Sequence, residues 1–271
     1  MRRLPVYLAL TVAALASLWP LYWLATSAFK SQPEIFATPP DWIPSPWRTE
    51  NFRKIWRETT IARAFANSVI ISGGFVTLSL FLCSLAGYAF VKFSAAPGSR
   101  RLFSFLLATM LIPHAVTLIP NCVVLTKLGL VNTYLSLIIP GAAGAFGIFW
   151  MRQYIASHVP DDLLSAARID GCSEFEIYWR IVLPMCRPAL AALGIMQLIG
   201  SWNNLLGAFL MLRTPNMLTL PVLIYLLQGE HRTPFGMLMA GGLLTTLPLV
   251  VAFLLFQRQF ISGITAGAVK E

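Results

Sequence analysis

Charged side chains are scarce in this sequence. Asp, Glu, Lys and Arg make up 11% of the 271 residues, whereas hydrophobic residues make up 57% and the mean hydropathy is +0.70. Soluble domains carry about 25% charged residues, so this chain has too few charges to cover a water-facing surface. The scarcity excludes a soluble enzyme, a disordered tail and a disulfide-rich secreted module, and it leaves an integral membrane protein.

Cysteine is also rare, and the motifs of catalytic and nucleotide-binding sites are missing. The four cysteines, Cys83, Cys122, Cys172 and Cys186, show no CxxC spacing, which favours small apolar packing residues over metal ligands or disulfides. The chain has no HExxH, GxSxG or GxxxxGK(S/T) sequence. We therefore predict a non-catalytic chain that binds no metal, cofactor or nucleotide. If it moves a solute uphill, the energy must come from another subunit.

Six long runs of the sequence carry no charged residue at all. Each has at least the roughly 20 residues that an α-helix needs to cross the hydrocarbon core of a membrane. We therefore predict an all-α integral membrane protein, a single transmembrane domain over residues 1–271, with six transmembrane helices. The predicted spans cover about residues 5–28, 64–91, 102–124, 133–151, 188–212 and 236–257.

The net charge of +9 comes from basic residues that stand singly or in pairs at the edges of the apolar runs. This placement is typical of Lys and Arg beside membrane spans, and it favours contact with anionic membrane lipid over nucleic-acid binding. Arg2 and Arg3 precede the first run, and the short loop 92–101 has three basic residues and no acid. By the positive-inside rule we predict that both chain termini are cytoplasmic.

Acidic residues are absent from all six predicted spans. Carriers coupled to protons or sodium commonly keep an ionisable group inside the membrane to bind the driving ion. The spans offer only neutral polar groups, such as His114, Gln197 and Asn204. Because carbonyl and hydroxyl groups can also hold sodium, a self-contained secondary carrier or channel for a polar solute stays open as the alternative function.

The segment between the fourth and fifth predicted spans, the 152–187 loop, has the pattern of two short helices joined at a glycine. The first helix begins at acidic residues that oppose the positive end of its dipole, and Gly171 is expected to end it in the left-handed conformation. Ser173, with Glu176 three residues later, forms a capping box that starts the second helix. We expect Pro184 to end that helix.

The same loop resembles the EAA motif of binding-protein-dependent ABC importer permeases. That motif reads Glu-Ala-Ala-x-x-x-Gly, and nine residues later Ile-x-Leu-Pro. Segments 86–90, 201–203 and 219–221 resemble the carbohydrate-uptake branch, in particular its smaller maltose-type permease subunit. The loop residues that carry the resemblance, and that it implies contact an ATPase, are Ser165, Ala166, Ala167, Asp170, Gly171, Ile181, Leu183 and Pro184.

The resemblance implies a permease subunit that moves a sugar by alternating access in the bacterial plasma (inner) membrane, as a multi-pass protein. The implied partners are a second permease subunit, usually different, two ATPase subunits that use the ATP, and a periplasmic or lipid-anchored solute-binding protein. Trp202, Asn203 and Asn204 are candidates for the substrate path, or equally for contacts between helices. The candidate contacts for the binding protein are Gln228, Gly229, Glu230 and His231.

One position departs from the motif. Ser165 stands where the family has Glu, and in related permeases that Glu pairs with a basic residue of the ATPase. A serine can accept only a neutral hydrogen bond, so it cannot form this ion pair; Asp161 and Asp162, about one turn earlier, are the candidates to replace it in part. Because a surface ion pair is typically worth only about 0–1 kcal/mol, we expect the apolar face of the loop to keep the ATPase docked.

Overall fold

A computed structural model describes residues 4–229 and 233–268, with side chains to residue 257. Throughout these residues the regular structure is helical and no strand is present, which confirms the all-α prediction. The helices are α1 (Leu4–Ser27), α2 (Gln32–Ile35), α3 (Glu50–Glu58), α4 (Ile61–Lys92), α5 (Ser99–Thr109), α6 (His114–Lys127), α7 (Leu135–Ile138), α8 (Ala145–His158), α9 (Asp161–Ile169), α10 (Glu174–Ile177), a π-helical turn (Tyr178–Val182), α11 (Leu183–Met185), α12 (Arg187–Trp202), α13 (Leu205–Met211), a 3-10 turn (Pro215–Met217), α14 (Leu220–Leu226) and α15 (Phe235–Ala268).

Three of these helices are long and apolar enough to cross a membrane. They are α1, α4 and the Phe235–Gln257 part of α15. Two further stretches reach the required length only as bent pairs, α5 with α6 at 101° and Glu174–Met185 with α12 at 79°. By length and composition, the described residues therefore contain between three and five candidate spans.

The predicted spans 102–124, 133–151 and 188–212 are not straight helices. The first is interrupted before Pro113, which lacks a backbone donor and disfavours helical backbone at the preceding residue. The second divides into α7 and α8, with Gly141 at a φ of +78° between them. The third is interrupted at Asn204, whose side chain accepts a hydrogen bond from the backbone of Gly207 and starts α13 instead.

The chain forms two compact units. Of the described residues, one unit comprises 4–66, 218–229 and 233–250, and the other comprises 67–217 and 251–268. In the first unit the loop after α1 is held by α3, because the Asn51 side chain donates hydrogen bonds to the carbonyls of Ala28 and Lys30 at 2.9 and 2.8 Å. The second unit contains the 152–187 loop.

The core of the second unit joins residues of α4, α8 and α12 to the 152–187 loop, and α4 lies close to α8 there. A Cβ on Gly87 of α4 would lie 2.8 Å from the backbone nitrogen of Arg152, and a Cβ on Gly147 of α8 would lie 2.6 Å from Sγ of Cys83. The two helices can therefore approach this closely only because both positions are glycine. Cys83 and Cys186 are fully buried in this core, consistent with their prediction as packing residues.

Candidate functional site

The first half of the 152–187 loop is α9 and the turn that ends it. Gly171 has a φ of +82°, as predicted from the sequence. The backbone N–H groups of Cys172 and Gly171 donate to the carbonyls of Ala167 and Arg168 at 3.0 and 3.1 Å. This pair of bonds satisfies the last free carbonyls of the helix and reverses the chain within three residues.

The second half of the loop begins at the predicted capping box. The backbone N–H of Ser173 donates to the Glu176 carboxylate at 2.9 Å, and the backbone N–H of Glu176 donates to Oγ of Ser173 at 3.3 Å. The hydrogen bond from the Ser173 backbone lowers the pKa of Glu176. This contact stabilises the ionised carboxylate at the helix N-terminus.

The helical run continues past the point where we expected it to stop. Pro184 lies within α11, and the run ends only at Cys186, so the prediction that Pro184 ends the helix is wrong. The π-helical turn at Tyr178–Val182 ends two residues before this proline. A π turn shifts the hydrogen-bond pattern by one residue, which lets the chain stay helical although Pro184 has no N–H to donate.

Glu174 lies at the start of the second half, outside the predicted spans, and joins three other residues. Arg168 Nε donates to its Oε1 at 2.9 Å, and Lys92 Nζ and the Tyr88 hydroxyl both donate to its Oε2 at 2.7 Å. Burial raises the pKa of Glu174, but the hydrogen bonds from Arg168, Lys92 and Tyr88 outweigh it and lower this pKa to about 2. Glu174 is therefore ionised at neutral pH, with both cations paired to one carboxylate.

Two of those partners belong to a stripe along α4. Ser84, Tyr88 and Lys92 are spaced four residues apart, which places them on one face of the helix. Ser84 lies 2.8 Å from the hydroxyl of Tyr178, and the rings of Tyr88 and Tyr178 are 6.0 Å apart. This stripe was not predicted from the sequence, although its polar residues recur at regular spacing near the end of an apolar helix.

The opposite face of the loop is exposed and partly apolar. Leu163, Ile169, Phe175 and Trp179 are exposed, and Ile169 retains 87% of its accessible surface. The predicted site residues of the loop divide between its two faces. Ser165, Ala166, Asp170, Gly171 and Pro184 are exposed, Ile181 and Leu183 are half-buried, and Ala167 is buried.

A cavity of about 660 Å³ lies in the second unit. Among the described residues, its lining contains no Asp, Glu, Lys or Arg side chain and combines two rings, from Phe75 and Phe146, with polar groups. These polar residues are Thr109, His114, Gln197, Ser201 and Asn204. Such a lining can donate and accept hydrogen bonds and offers aromatic faces for apolar contact.

The same cavity is bordered by all three interruptions of the predicted spans. Met110 lines it beside the bend between α5 and α6, Gly141 and Gly144 line it between α7 and α8, and Asn204 lines it between α12 and α13. Within a membrane, irregular backbone is tolerated where it lines a cavity rather than contacts lipid. The interruptions are therefore compatible with the membrane-protein prediction.

Only one of the three predicted path residues lines this cavity. Asn204 does, whereas Trp202 is buried in the protein and Asn203 donates its side-chain amide back to the Ile199 carbonyl at 3.0 Å. Gln197 and Ser201, on α12, line it as well, although neither was predicted as a path residue.

The predicted contacts for a binding protein follow α14 in the first unit. Gln228 and Gly229 are exposed, whereas Glu230 and His231 lie outside the described residues.

Known proteins similar to this chain are transport components. The family described as binding-protein-dependent transport system inner membrane component matches residues 79–266. The arabinooligosaccharides transport system permease protein AraQ of Halalkalibacterium halodurans is 37% identical, over 95% of this chain and 92% of that protein. The lactose transport system permease protein LacG of Rhizobium radiobacter is 30% identical, over 99% and 98%.

One solved structure has the same fold. It is a chain of the crystal structure of a bacterial ABC transporter involved in the import of the acidic polysaccharide alginate, with a TM-score of 0.82 and 22% identity over 94% of both chains. The family match and these relatives confirm the resemblance that was inferred from the 152–187 loop, and the solved structure shows the same fold.

Proposed function

Because this chain belongs to the family of binding-protein-dependent transport system inner membrane components, we propose that it is one of two transmembrane permease subunits of an ATP-driven sugar importer. Relatives named for the transport of arabinooligosaccharides and lactose support a sugar as the solute. A second permease, two ATPase subunits that use the ATP and a solute-binding protein complete the transporter in a bacterial inner membrane. This chain itself is non-catalytic.

The 152–187 loop carries this proposal. Its inner face is fixed to α4 by hydrogen bonds and ion pairs, while its outer face exposes Leu163, Ile169, Phe175 and Trp179. An exposed apolar patch on a short, well-ordered unit is typical of a protein-binding surface. We assign this outer face, with Asp170 and Gly171 at its corner, to the ATPase. Ser165 borders it, so docking rests on apolar contact and not on an ion pair at that position.

The neutral cavity is the proposed sugar path of this subunit. Sugars present many hydroxyl groups and apolar ring faces, and the cavity offers amides, hydroxyls, an imidazole and two phenyl rings. The path residues are therefore Phe75, Phe146, Gln197, Ser201 and Asn204, whereas Trp202 is a buried packing residue and Asn203 bonds to its own helix.

The proposed topology keeps six spans with both termini in the cytoplasm. Three of the proposed spans are the unbroken helices α1, α4 and Phe235–Gln257, and the breaks within the other three proposed spans border the cavity. Discontinuous helices near the substrate site are a recurring feature of transporters, because the freed backbone groups can bind solute. Reporter fusions after Arg100 and Arg168 should be cytoplasmic, and fusions after Arg48 and Arg232 periplasmic.

Reconstitution tests the function. Vesicles that contain both permeases and the ATPases, with the binding protein outside, should accumulate a sugar only when ATP is supplied to the ATPases. A panel of arabinooligosaccharides, lactose and alginate oligosaccharides, tested first on the binding protein, identifies the solute. Vesicles with this chain alone should show neither uptake nor ATP hydrolysis. Saturable sugar flux through this chain alone would instead establish the alternative, a self-contained carrier or channel.

A further inference from the structure

Glu174 connects the 152–187 loop to α4, and the two elements can move together only if such a contact joins them. Arg168 belongs to α9 of the 152–187 loop, and Lys92 is the last residue of α4. Both cations pair with the single carboxylate of Glu174, at 2.9 and 2.7 Å. Without that carboxylate the two cations would face each other across the junction, and like charges at such distances repel.

The junction is directional, unlike the apolar packing around it. The Tyr88 hydroxyl and Lys92 Nζ both donate to Oε2 of Glu174, while Arg168 donates to Oε1. Apolar surfaces can slide past each other at small cost, because the hydrophobic effect is non-directional. Hydrogen bonds to charged groups fix distance and angle and are roughly twice as strong as neutral ones. The carboxylate therefore sets the position of the loop on α4.

Helix α4 continues from this junction to the cavity. Phe75 lines the cavity, and the helix from Phe75 to Lys92 contains no proline. At 1.5 Å per residue, this part of the helix is about 26 Å long. Its one glycine, Gly87, packs against the backbone of α8. A displacement of the junction is thus carried to Phe75 by an unbroken helix.

We propose that Glu174 is a positioning residue that locks the 152–187 loop to α4, so that movement of the loop by the ATPase moves the cavity-lining part of that helix. This inference rests on the proposed function. It adds the route by which a push on the outer face of the loop reaches the solute path. The exposed outer face of the loop supplies the docking surface, whereas Glu174, Lys92 and Tyr88 supply the transmission.

The test measures coupling separately from assembly. The complete transporter is reconstituted in vesicles with the panel sugar that its binding protein retains. ATPase retention, ATP hydrolysis and sugar uptake are then measured for wild type and for Glu174→Gln. We expect the ATPase to stay bound and ATP hydrolysis to continue, while uptake per ATP hydrolysed falls about 5-fold or more, in the range of typical couplings between sites.

A matched control is available two residues away. Glu176→Gln removes the same charge from the same loop, but Gln preserves a capping box and Glu176 has no contact with α4 among those described. This variant should keep the wild-type ratio of uptake to ATP hydrolysed. Lys92→Met should lower the ratio as Glu174→Gln does, and the double variant should fall no further, because both changes break one junction.

The outcomes separate the inference from the function on which it rests. A wild-type ratio in Glu174→Gln, an equal loss in Glu176→Gln, or additive losses in the double variant would each overturn the role of Glu174. If Glu174→Gln does not assemble, Tyr88→Phe decides, since it removes one hydroxyl and keeps the ring, and an unchanged ratio there overturns the inference. A wild-type complex without ATP-dependent uptake would contradict the proposed function itself.

Discussion

The two ends of the Phe75–Lys92 part of α4 differ in chemistry. In its last turns, Tyr88 and Lys92 contact the ionised carboxylate of Glu174, which also pairs with Arg168. About 26 Å away, Phe75 borders a cavity whose lining, among the described residues, has no Asp, Glu, Lys or Arg side chain. Charge is thus placed where water can solvate it and where direction matters, and neutral groups are placed where a charge would be costly. We therefore describe α4 as having a transmission end, at Tyr88 and Lys92, and a solute end, at Phe75.

The largest expected effect comes from separating α4 from α8. Gly87→Leu would place a side chain against the backbone of Arg152, where a Cβ alone already lies 2.8 Å away. We expect a loss of stability of about 3 kcal/mol, seen as a lower melting temperature and yield of the purified complex. Gly73→Leu in the same helix is the control, because nothing lies within 4 Å of its Cβ position. Equal losses in both variants would contradict the close approach of α4 to α8.

The next largest effect is expected from a variant that weakens the contact between the 152–187 loop and the ATPase. Gly171→Val should strain the corner by about 1–3 kcal/mol, because the φ of +82° is unfavourable for a branched side chain. The ATPase should be lost from the purified complex while the second permease is retained. Gly171→Asn tolerates this conformation better and should keep most of the ATPase. Full uptake by Gly171→Val would show that this corner is not the coupling point.

A moderate effect is expected at the solute end. Gln197→Ala should remove one hydrogen bond to a bound sugar, worth about 1 kcal/mol, and raise the half-saturating sugar concentration for ATP-dependent uptake about fivefold. Asn203→Ala is the control, because that side chain bonds to its own helix and does not line the cavity. A larger rise in the half-saturating concentration for Asn203→Ala than for Gln197→Ala would contradict this assignment and would support the path predicted from the sequence, which included Asn203.

The smallest effect is a pH dependence at the transmission end. The folded-state pKa of Glu174, about 2, lies below its ordinary 4.5, so the ionised carboxylate stabilises the junction. That stabilisation is complete above pH 4.5 and is lost as the pH falls toward 2. The melting temperatures of wild type and Glu174→Gln should therefore differ by a constant amount between pH 5 and 7 and converge below pH 4.5. A constant difference down to pH 3 would contradict the assignment.

The sequence by itself determined the features that depend on local contacts or on composition. Scarce charge specified a membrane protein, and the left-handed Gly171 and the Ser173–Glu176 capping box formed as predicted. Each of those hydrogen-bond patterns involves residues no more than five positions apart. Short-range geometry of this kind follows from residue types at fixed spacing. The family motif of the 152–187 loop is also a set of residue types at fixed spacing, so it could be recognised from the sequence.

Only the tertiary structure decided which distant residues meet. Tyr88 and Glu174 are 86 positions apart, and no local pattern indicates that the stripe on α4 would receive the loop. The interruptions in three predicted spans also escaped prediction, because a run of apolar residues has the same composition whether it is straight or broken at a cavity. Pro113, Gly141 and Asn204 mark places where the helix can break, but a break inside a span also needs a cavity that accepts polar backbone, and that cavity exists only once the helices have packed.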